Sequence, residues 1–206
     1  MMKLRLLNSS HQALCYLARL AGHTLVHEAA REPLFAEFLL GYMAEEGTPT
    51  LRPVPGIDLA AYRRDVVARC SNAGIRDTVA RLAFDGSERL PNWLLPVVRD
   101  NLADGGEIRR SALVVAAWAR YCEGVDDAGE RFDVVDRRRD QLLAAARRER
   151  EQPLAFLADR HLFGDLAEDR RFTGEYLAAL HSLYERGARA TLEAVVAGTP
   201  LAPSPS

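Results

Sequence analysis

Alternation of apolar and polar residues over a strand's length is missing from this 206-residue chain, and so is a glycine-rich turn leading from strand to helix. The first absence leaves little from which to build a β-sheet. The second removes the G-x-G-x-x-G element that seats a dinucleotide. Cysteine is scarce: Cys15, Cys70 and Cys122 are odd in number, far apart and without a C-x-x-C. That argues against a disulfide framework and a structural zinc site, and it fits a reducing, cytoplasmic setting. An excess of positive charge is lacking as well, with a formal net charge of -2 and a pI near 6.2. Neither nucleic acid nor a membrane surface is therefore an expected partner. After Lys3 and Arg5, the opening stretch is interrupted by Asn8, Ser9, Ser10, His11 and Gln12, and no secretory h-region or membrane-spanning run appears.

What is there is helical periodicity. Leu14, Leu17, Ala18 and Ala21, then Leu113, Ala116, Ala117 and Tyr121, repeat at the spacing of one helix face. Breakers divide the pattern. Gly22-His23 ends or bends the first helix, and "TPTLRPVPG" from Thr48 to Gly56 carries too much proline to be helical. Asp58 reads as the N-cap of a helix reaching about Cys70. "SNAG" at 71–74 breaks the chain again before a short helix to about Phe84, Asp85-Gly86 makes a turn, and Pro91 suits the first position of a helix closed by Gly105-Gly106. The segment from Cys122 to Asp133 reads as a loop or short hairpin. The expectation is a multi-helical, all-α single domain over residues 1–197, with a disordered tail over 198–206.

One polar constellation stands out near the start. In "KLRLLNSSH", Asn8 and His11 are three apart and share a helix face, while Lys3 is expected to arrive from a strand or helix start leading in. Such groups can handle a proton and a developing alkoxide: a lysine as acid or base, an asparagine amide as donor, a neutral histidine holding a hydroxyl. The bland alternative is a solvated lysine, a capping asparagine and an ordinary helix histidine.

The wider sequence weighs against the bland reading. "KLRLLNSSHQALCYLARLAG" resembles the start of the C-terminal domain of the polyol-specific long-chain dehydrogenases, the mannitol dehydrogenase family. "SNAGIRDTVARLAFDGSERLPNWLLP" resembles that family's next signature, and "GGEIRRSALVVAAWARYCEGVDDAGE" and "LYERGARATLEAV" are similar to later stretches. The resemblance implies an oxidoreductase that transfers a hydride between NAD or NADP and a polyol, ketose or sugar acid, without a metal. It implies a catalytic acid/base role for Lys3, alkoxide stabilisation by Asn8 and substrate contact by His11, with Arg81 and Arg89 approaching the substrate. It also implies a Rossmann domain, in cis or in trans, to carry the cofactor. Asn72-Ala73 and Asn92-Trp93 depart from the family's usual Asn-Pro and Lys-Phe pairs. A non-catalytic helical module is the rival reading.

Other features carry plainer expectations. His23 and His27 stand four apart but have no third ligand in view, and no H-E-x-x-H is present. The acidic pairs Glu45-Glu46 and Asp126-Asp127, and the runs Arg137 to Arg139 and Arg147-Arg148, read as solvated faces. Ser9 and Ser10 lie in no G-x-S-x-G elbow, and Trp93 and Trp118 read first as core.

Overall fold

A computed structural model describes residues 1–52 and 55–201. The all-α expectation holds. The chain runs α1 (Ser9–Leu20), α2 (Val26–Arg31), α3 (Pro33–Gly41), α4 (Leu59–Cys70), α5 (Val79–Ala83), α6 (Gly86–Trp93), α7 (Leu95–Asp104), α8 (Arg109–Tyr121), α9 (Arg139–Glu149), α10 (Arg160–Phe163) and α11 (Arg170–Val196). Two π-helical turns, Lys3–Asn8 and Tyr42–Gly47, extend α1 at its front and α3 at its end. Among the described residues the only β pairing is two isolated bridges, Leu25 with Thr78 and Val125 with Arg131. The second makes the Cys122–Asp133 stretch a minimal hairpin.

Burial explains the arrangement. Every residue of α8 from Ser111 to Tyr121 is buried, and α1 is buried along nearly its whole length. Helices apolar on all sides must sit in the middle of a bundle. Here α8 packs chiefly along α11 and also against α1. Trp118 anchors the centre, edge-on to Phe156 with ring centroids 5.1 Å apart and 5.8 Å from Phe163. Such contacts add to the burial of the rings themselves.

Most breakers act where the sequence places them. Asp58 Oδ1 accepts from Ala60 N (2.9 Å) and Ala61 N (3.0 Å) to start α4, and Gly105 adopts φ 71° to end α7. Pro91 is a correction: it lies inside α6, whereas Pro96 holds the first turn of α7. As the sixth residue of α6 (Gly86–Trp93), Pro91 removes one donor from the helix ladder near the C-terminal end. His23 precedes α2, so His23 and His27 do not share a helix face; His23 Nε2 instead lies 3.1 Å from Glu32 Oε1.

α11 breaks at Gly187, where φ 77° and ψ 174° fall in a region essentially reserved for glycine. The helix restarts because Ala188 N donates to Asp127 Oδ2 (2.6 Å). Beyond α11, Arg109 donates to the Thr199 carbonyl and Leu201 is half-buried. The rest of the expected tail, residues 202–206, lies outside the described residues.

Candidate functional site

The π turn Lys3–Asn8 does what an α-turn would not. Its hydrogen bonds close over five residues, as in Ser9 N to Leu4 O, so residues five apart come into register along the helix. In a regular α-helix at 3.6 residues per turn, Lys3 would be rotated well away from Asn8. The widened turn reduces the rotation about the axis that separates Lys3 from Asn8, and His11 follows Asn8 three residues on in α1. Of the strand or helix start expected to lead in, the structure has the helix start, wound as a π turn that runs on into α1.

Each member of the set is placed differently. Lys3 is exposed and forms no ion pair among the described residues. Asn8 is half-buried, and its side chain does not cap α1. His11 is half-buried; burial, then the positive charge of Arg81, holds its imidazole below the usual histidine range, with Asp77 opposing and Arg89 adding to the fall. Burial and the Arg81 charge both favour the neutral imidazole, which offers one donor and one acceptor nitrogen.

The two arginines come from α5 and α6. Thr78 caps α5 by accepting from Arg81 N (3.2 Å), and the residue before it, Asp77, holds the Arg81 guanidinium at Nε (2.5 Å) and at Nη2. Arg89 Nη1 donates to the carbonyls of Arg81 (3.1 Å) and Leu82 (2.9 Å), satisfying the C-terminal end of α5. Its guanidinium also lies over Phe84 (5.6 Å) and Trp93 (5.5 Å), within cation–π range of both rings. Trp93 is thus tied to the site's cationic group, while Trp118 is core. Arg89 thus contacts the Arg81 carbonyl at the end of α5, and both arginines act electrostatically on His11.

The scaffold under the π turn was not legible as such. Tyr42 Oη donates to the Arg5 carbonyl at 3.1 Å, and Arg5 Nη1 donates to Thr50 O (2.9 Å) and pairs with Asp100. Gly47 meets the same turn so closely that a Cβ there would lie 2.8 Å from Leu6 Cδ2 and 3.1 Å from Arg5 O. The two π turns therefore support one another.

Glu46, expected on a solvated face, is fully buried. It accepts from Arg110 N (2.6 Å), Ser111 N (2.8 Å) and Ser111 Oγ, capping α8 from the second π turn. Burial pushes its carboxyl up to about 7 against the pull of those donors. Its spacing from the buried pair Tyr42 and Met43 was the available signal. Asp126, also read as solvated, is 4% exposed and accepts from Ala128 N (3.1 Å) and Glu130 N (2.9 Å).

The chain is similar to known proteins along nearly its whole length. The chain is 40% identical over 94% of its length to a mannitol 2-dehydrogenase of Pyrenophora tritici-repentis, of which it covers 34%. It is 39% identical over 92% of its length to one of Aspergillus fumigatus, of which it covers 38%. The chain thus spans little more than a third of these relatives. Among solved structures, the ternary complex of Pseudomonas fluorescens mannitol 2-dehydrogenase with NAD and D-mannitol superposes with a TM-score of 0.92 at 38% identity, covering 95% of this chain and 40% of that one. The mannitol dehydrogenase C-terminal domain matches residues 1–184, and the chain belongs to that family.

Proposed function

We propose that this chain is the substrate-binding and proton-handling part of an NAD(P)-dependent polyol dehydrogenase that works in the cytoplasm with a Rossmann domain supplied in cis or in trans. The carrying observation is compositional and positional at once. Of 27 lysines and arginines, Lys3 is the single lysine, and it opens the π turn that ends at Asn8, three residues before His11. Arginine serves every other cationic position in the chain. It cannot serve as acid or base near neutrality, because it does not give up its proton; a lysine amine can.

In the oxidative direction Lys3 Nζ takes the proton of the substrate hydroxyl, and the Asn8 amide donates to the alkoxide that forms. Neutral His11 holds a neighbouring hydroxyl, and Arg81 and Arg89 orient the remaining ones. The hydride acceptor, NAD or NADP, belongs to the Rossmann domain: among the described residues of this chain there is no strand or glycine-rich phosphate loop to fit it. Mannitol heads the substrate panel because the relatives named above are mannitol 2-dehydrogenases; ketoses and sugar acids complete it.

The test is reconstitution. The chain alone is expected to turn over no polyol. Joined behind the Rossmann domain of a relative, it should give mannitol-dependent NADH formation. In that enzyme Lys3→Ala and Lys3→Arg should each lose roughly 10²- to 10⁴-fold in kcat, and Asn8→Ala on the order of 10²-fold. A folded, cofactor-binding fusion that is inert on the whole panel would favour the non-catalytic reading.

A further inference from the structure

Asp77 immediately precedes Thr78, the cap of α5. Its carboxylate grips Arg81 along the Nε and Nη2 edge, a two-point geometry that fixes the plane of the guanidinium and not only its position. The grip is asymmetric in exposure: the Asp77 side chain is 18% exposed and that of Arg81 63%. The acid is the fixed member and the arginine the presented one. Asp77 is itself held by Thr78 N, which donates to Oδ1 at 2.9 Å, and by Val26 N, which donates to its carbonyl at 3.0 Å. Val79 N donates to Thr24 O (2.9 Å) alongside, so the lead-in to α5 is stitched to the lead-in to α2.

Asp77 also shares a cavity of about 210 Å³ with His11. Arg69 and Cys70 from α4 and His27 from α2 face the same cavity, and Arg81 and Arg89 act on His11 from α5 and α6. Of the charged groups acting on His11, Asp77 is the single acid against two arginines.

We propose that Asp77 is a positioning residue of the site, clamping Arg81 so that the free N–H edge of its guanidinium faces the substrate hydroxyls, and balancing the cationic charge beside His11. This rests on the polyol dehydrogenase reading for its substrate and on geometry alone for the clamp. Two adjacent hydroxyl oxygens suit the free edge of a fixed guanidinium, whereas an unclamped arginine would lose rotamer freedom on every binding event.

Two measurements separate the clamp from the functional reading. The first uses the chain itself. The imidazole resonances of His11, assigned through His11→Gln, are followed by NMR against pH in wild type, Asp77→Asn, Asp77→Glu and Arg81→Gln. Removing the acid should move the His11 midpoint down, Asp77→Glu should restore part of it, and removing Arg81 should move it up. If Asp77→Asn does not fold, Arg81→Gln still decides by the sign of its shift. An unmoved His11 midpoint in a folded Asp77→Asn or Arg81→Gln chain overturns the proposal.

The second uses the reconstituted enzyme. Asp77→Asn should raise KM for the polyol about tenfold, the loss of one charge-assisted hydrogen bond, while kcat changes far less. An unchanged KM in an active Asp77→Asn enzyme overturns the positioning role. A shifted His11 midpoint together with an inert wild-type fusion would instead uphold the clamp and sink the functional reading.

Discussion

The hydroxyl of Tyr42 donates to the carbonyl of Arg5 at 3.1 Å, so that one π turn is fastened to the other. A widened turn leaves its backbone groups badly served by the helix itself, and a side-chain donor from a neighbour makes good one of them. Tyr42→Phe should leave that carbonyl unsatisfied and cost about 1–3 kcal/mol of stability, read by denaturant unfolding. Gly47→Ala presses on the same turn from the other side and should cost a similar amount by overpacking Leu6. In the reconstituted enzyme both should lower kcat, because both act on the turn that carries Lys3. A Gly47→Ala chain as stable as wild type would show that the contact is slack.

Glu46 gives a stability signature of its own. Its folded-state pKa of about 7 lies above the ordinary carboxylate range, so the folded chain binds more protons than the unfolded one between the two values. This contribution is fully present below the unfolded pKa and is lost as pH rises towards 7. Glu46→Gln cannot titrate, and its amide would meet the Arg110 and Ser111 donors poorly, so it should be the less stable chain. The gap in Tm between wild type and Glu46→Gln should therefore narrow between about pH 4.5 and 7. A gap that widens over that interval would mean the buried carboxylate stays ionised throughout.

His11 has the opposite sign. Its folded pKa is depressed, so its contribution is full above the unfolded value of about 6.5 and is lost as pH falls through that value towards the folded one. Wild type should lose stability on acidification relative to His11→Gln in that window. Parallel pH–Tm curves for the two chains would remove burial as the force acting on the imidazole.

The break in α11 should resist substitution. Gly187→Ala would force φ 77° and ψ 174° on an L-residue and bring its Cβ within 2.9 Å of the Asp127 carboxylate. A loss of about 1–3 kcal/mol is expected by urea unfolding. Asp127→Ala, which leaves Ala188 N uncapped, should cost about 1 kcal/mol.

Much of this protein was legible before any coordinates. The 3.6-residue periodicity of α1 and α8 dictates helix because an apolar face must be buried, and Asp58, Gly22 and Gly105 punctuate the chain through local backbone chemistry that needs no tertiary partner. The candidate site at Lys3, Asn8 and His11 follows from the family resemblance of the surrounding motifs, the spacing by itself leaving a capping or solvated reading open. What only the tertiary structure decided is pitch and burial. The pitch of the turn that carries Lys3 and Asn8 depends on Tyr42 and Gly47, more than thirty residues away in sequence. Whether Glu46 is solvated depends on where the N-terminus of α8 comes to rest. Local pattern fixes which residues prefer helix, since that preference arises within a few residues. The turn of a helix and the environment of a carboxylate are set by contacts between distant segments, and those contacts exist only once the chain has packed.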